Sequence, residues 1–198
     1  MLDSQLRKSV WNADDHILAT AVLPERKRGT LSKTNHTAEA LELLFTSTTP
    51  GWFTPFTRAT DGLTAAQAAT VPAPRCNSVW AVVNHVRYWQ EATLHQLQHL
   101  PNKNTALDAG DGSGWPPAGD PGDEAAWQRA RTRAIEANAA LARYVAGLTD
   151  AELDHAIAEG DEWHTRRHLI YSMIAHNSYH TCEITTIRHM QGWWFDAL

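Results

Sequence analysis

The chain has 198 residues, of which 43% are hydrophobic and 20% are charged. This balance excludes a disordered or collagen-like protein and suits one soluble domain with a real core. Seventeen Lys and Arg against twenty-two Asp and Glu give a formal net charge of −5. Because the basic residues are also scattered along the chain, we expect no nucleic-acid partner.

Residues 1–35 are predicted to form an N-terminal extension, because Pro24 interrupts any helix begun before it. The longest apolar stretch of this segment, residues 17–23, is flanked by acidic residues and is too short for a signal peptide or a membrane span. We therefore expect no membrane partner. Residues 36–198 are predicted to be one domain, and apolar residues at three- and four-residue spacing predict its first helix from His36 onward.

Two capping signals lead into the second long helix. Thr64 and Gln67 have the spacing of a capping box and predict a short helical turn. Asn77 or Ser78 then caps a helix whose apolar residues keep helical spacing and which ends before Pro101.

The second half of the chain contains a long loop and two more long helices. The segment 101–123 holds four Pro and five Gly, which predicts a loop long enough to serve as a lid. A regular apolar seam over 127–148 predicts the third helix, and a capping box at 149–152 opens a short helix to about Ala158. The last helix is predicted over 165–190. No run of alternating β-branched residues predicts a strand, so the fold class is all-α, a four-helix bundle.

Two histidines stand out on the last helix among the eleven of the chain. At 100° per residue, Leu169, Met173, His176, His180 and Ile187 fall within an arc of about 60°, so both histidines are predicted to lie in the middle of the apolar stripe. Residues four apart lie one turn above each other, and their imidazoles can bind one cation. The alternative is a pair of core histidines bound to carbonyl or hydroxyl groups. Burying an imidazole without a partner costs about 1–3 kcal/mol, and a divalent cation would satisfy both rings.

A catalytic metal site of tetrahedral geometry uses three protein ligands and leaves one position open. His85, at the margin of the apolar stripe of the second helix, is the best candidate for the third ligand; otherwise it is a boundary histidine half in water. Glu183 lies one turn beyond His180 and is predicted to orient an imidazole from outside the ligand set. It could instead be a substitute ligand or an ordinary glutamate at the edge of the bundle.

A substrate pocket is expected at the open metal position. Trp80, Trp89 and Trp163 are the aromatic residues predicted to line it, with the loop 101–123 nearby. Arg188 lies further along the last helix and is predicted to meet an anionic substrate, although a surface salt bridge is the alternative.

These motifs resemble the DinB/YfiT-like family of metalloenzymes. The resemblance rests on Asn77–His85 (NSVWAVVNH) and on His176–His180 (HNSYH) followed by Arg188 and Gly192. It implies a four-helix bundle with up-down-down-up connectivity, a divalent metal held by the three matching histidines, and a homodimer. Some relatives, those that use mycothiol, bacillithiol or glutathione, resemble thiol-dependent S-transferases or isomerases. The chain departs from the family pattern in its N-terminal extension and at 181–184, where a Gly-Gln pair is frequent.

Two classes of function follow. The first is a divalent-metal-dependent enzyme, a thiol-dependent S-transferase or a hydrolase-like enzyme, acting on a small-molecule substrate with a low-molecular-weight thiol as cosubstrate. The second is a non-catalytic metal-binding stress-response protein. Imidazole ligands suit zinc, nickel, iron and copper, and the order of metal affinities does not select among them. Zinc or nickel is the metal we expect. Only Cys76 and Cys182 are present, without a CxxC motif, so we expect a reducing, cytoplasmic location.

Overall fold

A computed structural model describes residues 32–48, 51–99, 114–157 and 164–194 of the protein. Within these ranges the chain is all-helical, as predicted, apart from one isolated bridge between Ala156 and Thr165. The helices are α1 (Lys33–Thr46), α2 (Phe56–Ala59), α3 (Ala65–Ala69), α4 (Val79–Leu97), α5 (Glu124–Ala146) and α6 (Arg166–Met190), with a 3₁₀ turn at Glu152–Asp154. The extension predicted for residues 1–35 lies almost wholly outside the described ranges and stays a prediction.

Side-chain caps determine where the helices start. Ser78 accepts a hydrogen bond from the backbone N–H of Ala81 at the start of α4, and Thr165 accepts one from His168 at the start of α6. Thr64 and Gln67 form the predicted capping box of α3. The helix α4 therefore begins directly after Ser78, one of its two predicted caps, and α6 begins within one residue of its predicted start.

Two boundaries differ from the prediction. The first helix begins at Lys33, before His36, because Ser32 caps it by accepting from the N–H of Asn35. The short helix predicted to reach about Ala158 is wrong: the chain makes one 3₁₀ turn that ends at Asp154. Backbone pairing of Ala156 with Thr165 follows instead, and it takes up the hydrogen-bonding groups that a longer helix would have used.

The four long helices pack in a ring in which α4 contacts α5 and α6, and α1 contacts the same two helices. Their inner faces form two apolar clusters. The first cluster includes Phe45, Phe56, Val79, Val83, Trp127 and Ile184. The second includes Leu41, Leu97, Leu141, Leu153 and Ile170. No helix in the described ranges is long and apolar enough to cross a membrane.

The buried face of α6 is rotated from the predicted stripe. It consists of Ile170, Met173, Asn177, His180, Thr181, Ile184, Ile187 and Arg188. His180 is buried in this face, whereas His176 lies half-buried at its edge, and Leu169 is likewise only partly buried. The prediction followed hydrophobic residues alone. Because polar residues such as Asn177 also turn inward, the apolar side chains do not define the buried face by themselves.

Candidate metal centre

Three histidines from two helices meet between α4 and α6. His85 projects from α4, and His176 and His180 project from successive turns of α6. One ring nitrogen of each lies within 4.8 Å of the others. The direct packing of α4 on α6 thus brings together the three residues that sequence spacing singled out.

The environment of His85 sets which of its nitrogens carries the proton. Its ring is buried, with 5% of the residue exposed, and Nδ1 donates to the carbonyl oxygen of Gly114 over 2.6 Å. Burial lowers the pKa of His85 to about 4, although the Gly114 bond acts in the opposite direction. The ring is therefore neutral at pH 7 and leaves the lone pair of Nε2 facing the other two histidines.

His180 has a carboxylate behind it. Its Nδ1 donates to Oε2 of Glu183 over 2.7 Å, and Oε1 of the same carboxylate accepts from Nδ2 of Asn77 over 2.9 Å. Burial acts to raise the pKa of Glu183, but the hydrogen bonds from His180 and Asn77 outweigh it and lower that pKa. An ionised Glu183 thus orients the His180 ring through Nδ1 and leaves Nε2 as the nitrogen that can bind a cation.

His176 completes the cluster but lacks a partner for its other nitrogen. Its Nε2 lies 3.2 Å from Nε2 of His85, and its buried Nδ1 has no hydrogen-bond partner in the described ranges. Burial, followed by the neighbouring His180 and His85, lowers the pKa of His176 to about 4. Two nitrogens bound to one tetrahedral metal at about 2.0–2.1 Å lie about 3.3 Å apart, which matches the observed separation. The donor set therefore fits a divalent cation.

A segment of the long loop packs across α4 beside the histidines. We call residues 114–119 the strap. Trp115 stacks on the ring of His85, with centroids 3.6 Å apart and an interplanar angle of 12°. The carbonyl of Pro117 accepts from Nδ2 of Asn84 over 2.7 Å. This part of the predicted lid is therefore bound to the helix that carries the first ligand.

Trp115 is the site residue that the sequence reasoning missed. It is the only tryptophan of the Gly- and Pro-rich segment 101–123. A large aromatic residue in such a loop indicates that part of the loop packs against the domain, and this was the signal that could have identified it.

Two glycines let the strap lie close to tryptophans of α4. Gly114 has a φ of 68°, and a Cβ there would lie 2.8 Å from Nε1 of Trp89. A Cβ at Gly119 would lie 2.5 Å from Cζ2 of Trp80. Trp80 is only 3% exposed and packs on Trp127, so the structure places it in the core under the strap. Trp89 is 37% exposed and presents its edge to His85, whereas the predicted Trp163 lies outside the described residues.

Gly119→Ala should lower the free energy of unfolding by about 1–3 kcal/mol, because the buried Trp80 indole has no room to move away from the new methyl group. Urea unfolding measures the effect. Gly122→Ala is the matched control, since a Cβ there meets its nearest atom at 3.4 Å. Equal stability of the two variants would contradict the tight packing of strap and helix.

The structure does not bring Arg188 to the histidines. Eight residues separate it from His180, about 12 Å along the helix. Its Nη1 donates to the carbonyl oxygens of Ala59 (3.1 Å) and Asp61 (2.6 Å), and its Nε donates to that of Trp193 (3.1 Å). Only 6% of Arg188 is exposed. The guanidinium thus joins the end of α6 to the end of α2, so neither the predicted substrate contact nor a surface salt bridge describes its position.

Arg188→Met should reduce the free energy of unfolding by about 2–4 kcal/mol, because three carbonyl groups lose a charged donor. Its metal content should equal that of the wild type, since the histidines do not contact Arg188. Urea unfolding and metal analysis of the same preparation check both statements. Loss of bound metal from a folded Arg188→Met protein would indicate that Arg188 contributes to the metal centre.

Comparison with known proteins places this geometry in a family. The family model of the DinB superfamily matches residues 54–184, a span that includes all three histidines and Glu183. The chain belongs to the DinB superfamily. The resemblance drawn from the histidine motifs is thereby confirmed, and the superfamily match ends before Arg188. The chain matches none of the curated proteins and none of the solved structures with which it was compared.

Proposed function

We propose that this DinB-superfamily protein is a divalent-metal-dependent enzyme whose metal is held by His85, His176 and His180. One observation carries the proposal: three imidazoles from two helices gather their ring nitrogens within 4.8 Å. Hydrogen bonds donated by Nδ1 to Gly114 and Glu183 orient two of these rings so that their Nε2 lone pairs face the other ring nitrogens. Membership of the superfamily is compatible with metal binding at this cluster.

Three neutral imidazole ligands suit zinc or nickel, which are the ions we propose. A divalent cation held there would supply Lewis acidity that lowers the pKa of a bound water or thiol toward neutrality. The protein contributes the orientation of the rings, through Gly114 behind His85 and Glu183 behind His180. Trp115 covers one face of the His85 ring and keeps water from it.

Glu183 favours an enzyme over a closed, non-catalytic metal site. Both of its carboxylate oxygens accept hydrogen bonds, one from His180 and one from Asn77. Among the described residues, no fourth His, Cys, Asp or Glu joins the cluster. An open coordination position is the mark of a catalytic site, whereas a structural site is closed by four protein ligands. The non-catalytic stress-response protein is therefore the second candidate.

The proposed reaction is the attack of an activated water or thiol on an electrophilic small-molecule substrate, in a hydrolase-like enzyme or a thiol-dependent S-transferase. The cosubstrate in the second case is a low-molecular-weight thiol. Trp89, which is partly exposed beside His85, is the aromatic residue best placed to contact the substrate.

The setting of the enzyme is also part of the proposal. The up-down-down-up connectivity of the bundle rests on the family resemblance, since the ring of α1, α4, α5 and α6 establishes only which helices are neighbours. Cys76 and Cys182 are exposed free thiols, which supports a reducing, cytoplasmic location. The homodimer rests on the family resemblance alone.

Protein purified without an affinity tag should contain about one divalent metal ion per chain, the stoichiometry of a single three-histidine site. His85→Ala and His180→Ala should each lose it, because two imidazoles bind a metal ion much more weakly than three. His168→Ala is the control, since His168 is an exposed histidine at the start of α6. Mass spectrometry measures the metal content of each protein. Metal retained by both His85→Ala and His180→Ala would refute the proposed ligand set. A wild type that takes up no metal on reconstitution would refute metal dependence.

Glu183→Gln should weaken metal binding by about 10- to 100-fold while preserving the stoichiometry, because a neutral amide orients the His180 ring less strongly than a carboxylate. Competition with a chelator measures the affinity. Glu91→Gln, on α4 and paired with Arg87, is the matched control. An unchanged affinity would contradict the orienting role of Glu183. Complete loss of metal would identify Glu183 as a ligand and favour the non-catalytic candidate.

A further inference from the structure

Three amide side chains lie in the core at the level where the two apolar clusters meet. They are Gln90 of α4, Asn138 of α5 and Asn177 of α6, and each is 0% exposed. We call these three residues the amide layer. Along α5, Asn138 separates Ala134 of the first cluster from Leu141 of the second. A polar cross-section thus lies between the two apolar clusters.

Hydrogen bonds of the amide layer reach all four long helices. Nε2 of Gln90 and Nδ2 of Asn177 both donate to Oδ1 of Asn138, over 3.3 Å and 3.4 Å. Nδ2 of Asn138 donates in turn to the carbonyl oxygen of Leu41 in α1, over 3.2 Å. Each bond requires one particular alignment of the helices that it joins.

A gain in folding stability does not explain why these amides are buried. The side-chain oxygens of Gln90 and Asn177 are buried and have no hydrogen-bond partner in the described ranges. Buried polar groups without partners are unfavourable, and well-packed apolar residues of similar volume often serve stability as well or better. The best-established role of buried polar residues of this kind is to select one register of packed helices.

Register is the property on which the metal centre depends. The centre draws one histidine from α4 and two from α6, with Nε2 of His85 lying 3.2 Å from Nε2 of His176. Gln90 follows His85 by five residues on α4, and Asn177 directly follows His176 on α6. If α4 slid along α6 by one turn, about 5.4 Å, other apolar side chains could replace most of the lost apolar contacts. The histidines, however, would be separated.

We propose that Gln90, Asn138 and Asn177 are positioning residues that set the register of α4 and α6 and so bring the three histidines together. The effect on metal binding rests on the proposed metal-dependent function. The register of the helices does not depend on any metal.

The chain offers its own probes of this register. Cys76 precedes α4, Cys182 lies on α6, and both thiols are exposed. Spin labels on these two cysteines report the distance between α6 and the segment that leads into α4 by dipolar electron paramagnetic resonance, in a regime suited to short distances because the adjacent Asn77 and Glu183 are hydrogen-bonded. The test protein is the full chain carrying Gln90→Met, Asn138→Leu and Asn177→Leu together, because replacing all members leaves no orphaned amide. Leu141→Met, fully buried one turn from Asn138, is the matched control.

The labelled wild type and the Leu141→Met control should each show one narrow distance distribution. The triple variant should melt at or above the wild-type temperature, yet show a broadened distribution or a second distance shifted by about 5 Å, one helical turn. Its affinity for Co²⁺ should fall by about 10-fold or more, as for other groups that orient metal ligands. Its visible absorption at saturating Co²⁺ should also change, which lost stability alone would not cause.

A folded triple variant with the wild-type distance distribution, or with the wild-type Co²⁺ affinity and spectrum, would overturn the proposal. Should the triple variant not fold, Gln90→Met decides by the same two readouts, because it leaves the Asn177–Asn138 bond in place. A wild type that binds no Co²⁺ would refute the proposed function, and the spin-label distances would then test the register by themselves.

Discussion

Three imidazole rings pack against one another between α4 and α6, two of them buried and one half-buried, and a neutral imidazole has one donor and one acceptor that both need partners. The Nδ1 donors of His85 and His180 are satisfied by the Gly114 carbonyl and the Glu183 carboxylate. Their Nε2 atoms are left as acceptors; Nε2 of the third ring, His176, lies 3.2 Å from Nε2 of His85, and the buried Nδ1 of His176 has no hydrogen-bond partner in the described ranges. Burial also holds the pKa of His85 and of His176 at about 4, so protons are a poor substitute for a metal at neutral pH.

The need for a hydrogen-bond acceptor at Nδ1 of His85 explains the path of the strap along α4. The carbonyl that His85 needs comes from Gly114, and the adjacent Trp115 covers the ring that this bond orients. The strap in turn depends on Gly119, where a side chain would meet the indole of Trp80. A glycine distant from the metal centre thus contributes to it, because the backbone must approach a buried aromatic ring closely.

The helices were predictable where local interactions decide them. Ser78, one of the two predicted caps of α4, accepts a hydrogen bond from the N–H of Ala81, and a cap of this kind can be predicted because it involves residues only three positions apart. The helix predicted after residue 149 was wrong because pairing of Ala156 with Thr165, nine positions apart, competes with it. The buried face of α6 was misjudged because Asn177 turns inward to Asn138, a partner on another helix.

The same division applies to the metal centre. The i, i+4 spacing of His176 and His180 follows from helical geometry, and membership of the superfamily was readable from the motifs around them and around His85. The partners of these histidines were less accessible, since Trp115 and Gly114 lie 29 or more residues from His85 and meet it only through the path of the strap. Arg188 shows the limit most clearly: its sequence neighbourhood suggested a substrate contact, whereas its partners Ala59 and Asp61 are more than 120 residues away. Helix identity and ligand spacing are thus properties of the sequence, because they depend on contacts within one turn. The orientation of the His85 ring, the burial of the histidines and the roles of Asn177 and Arg188 were decided by tertiary structure, because their partners come from distant segments that only packing brings near.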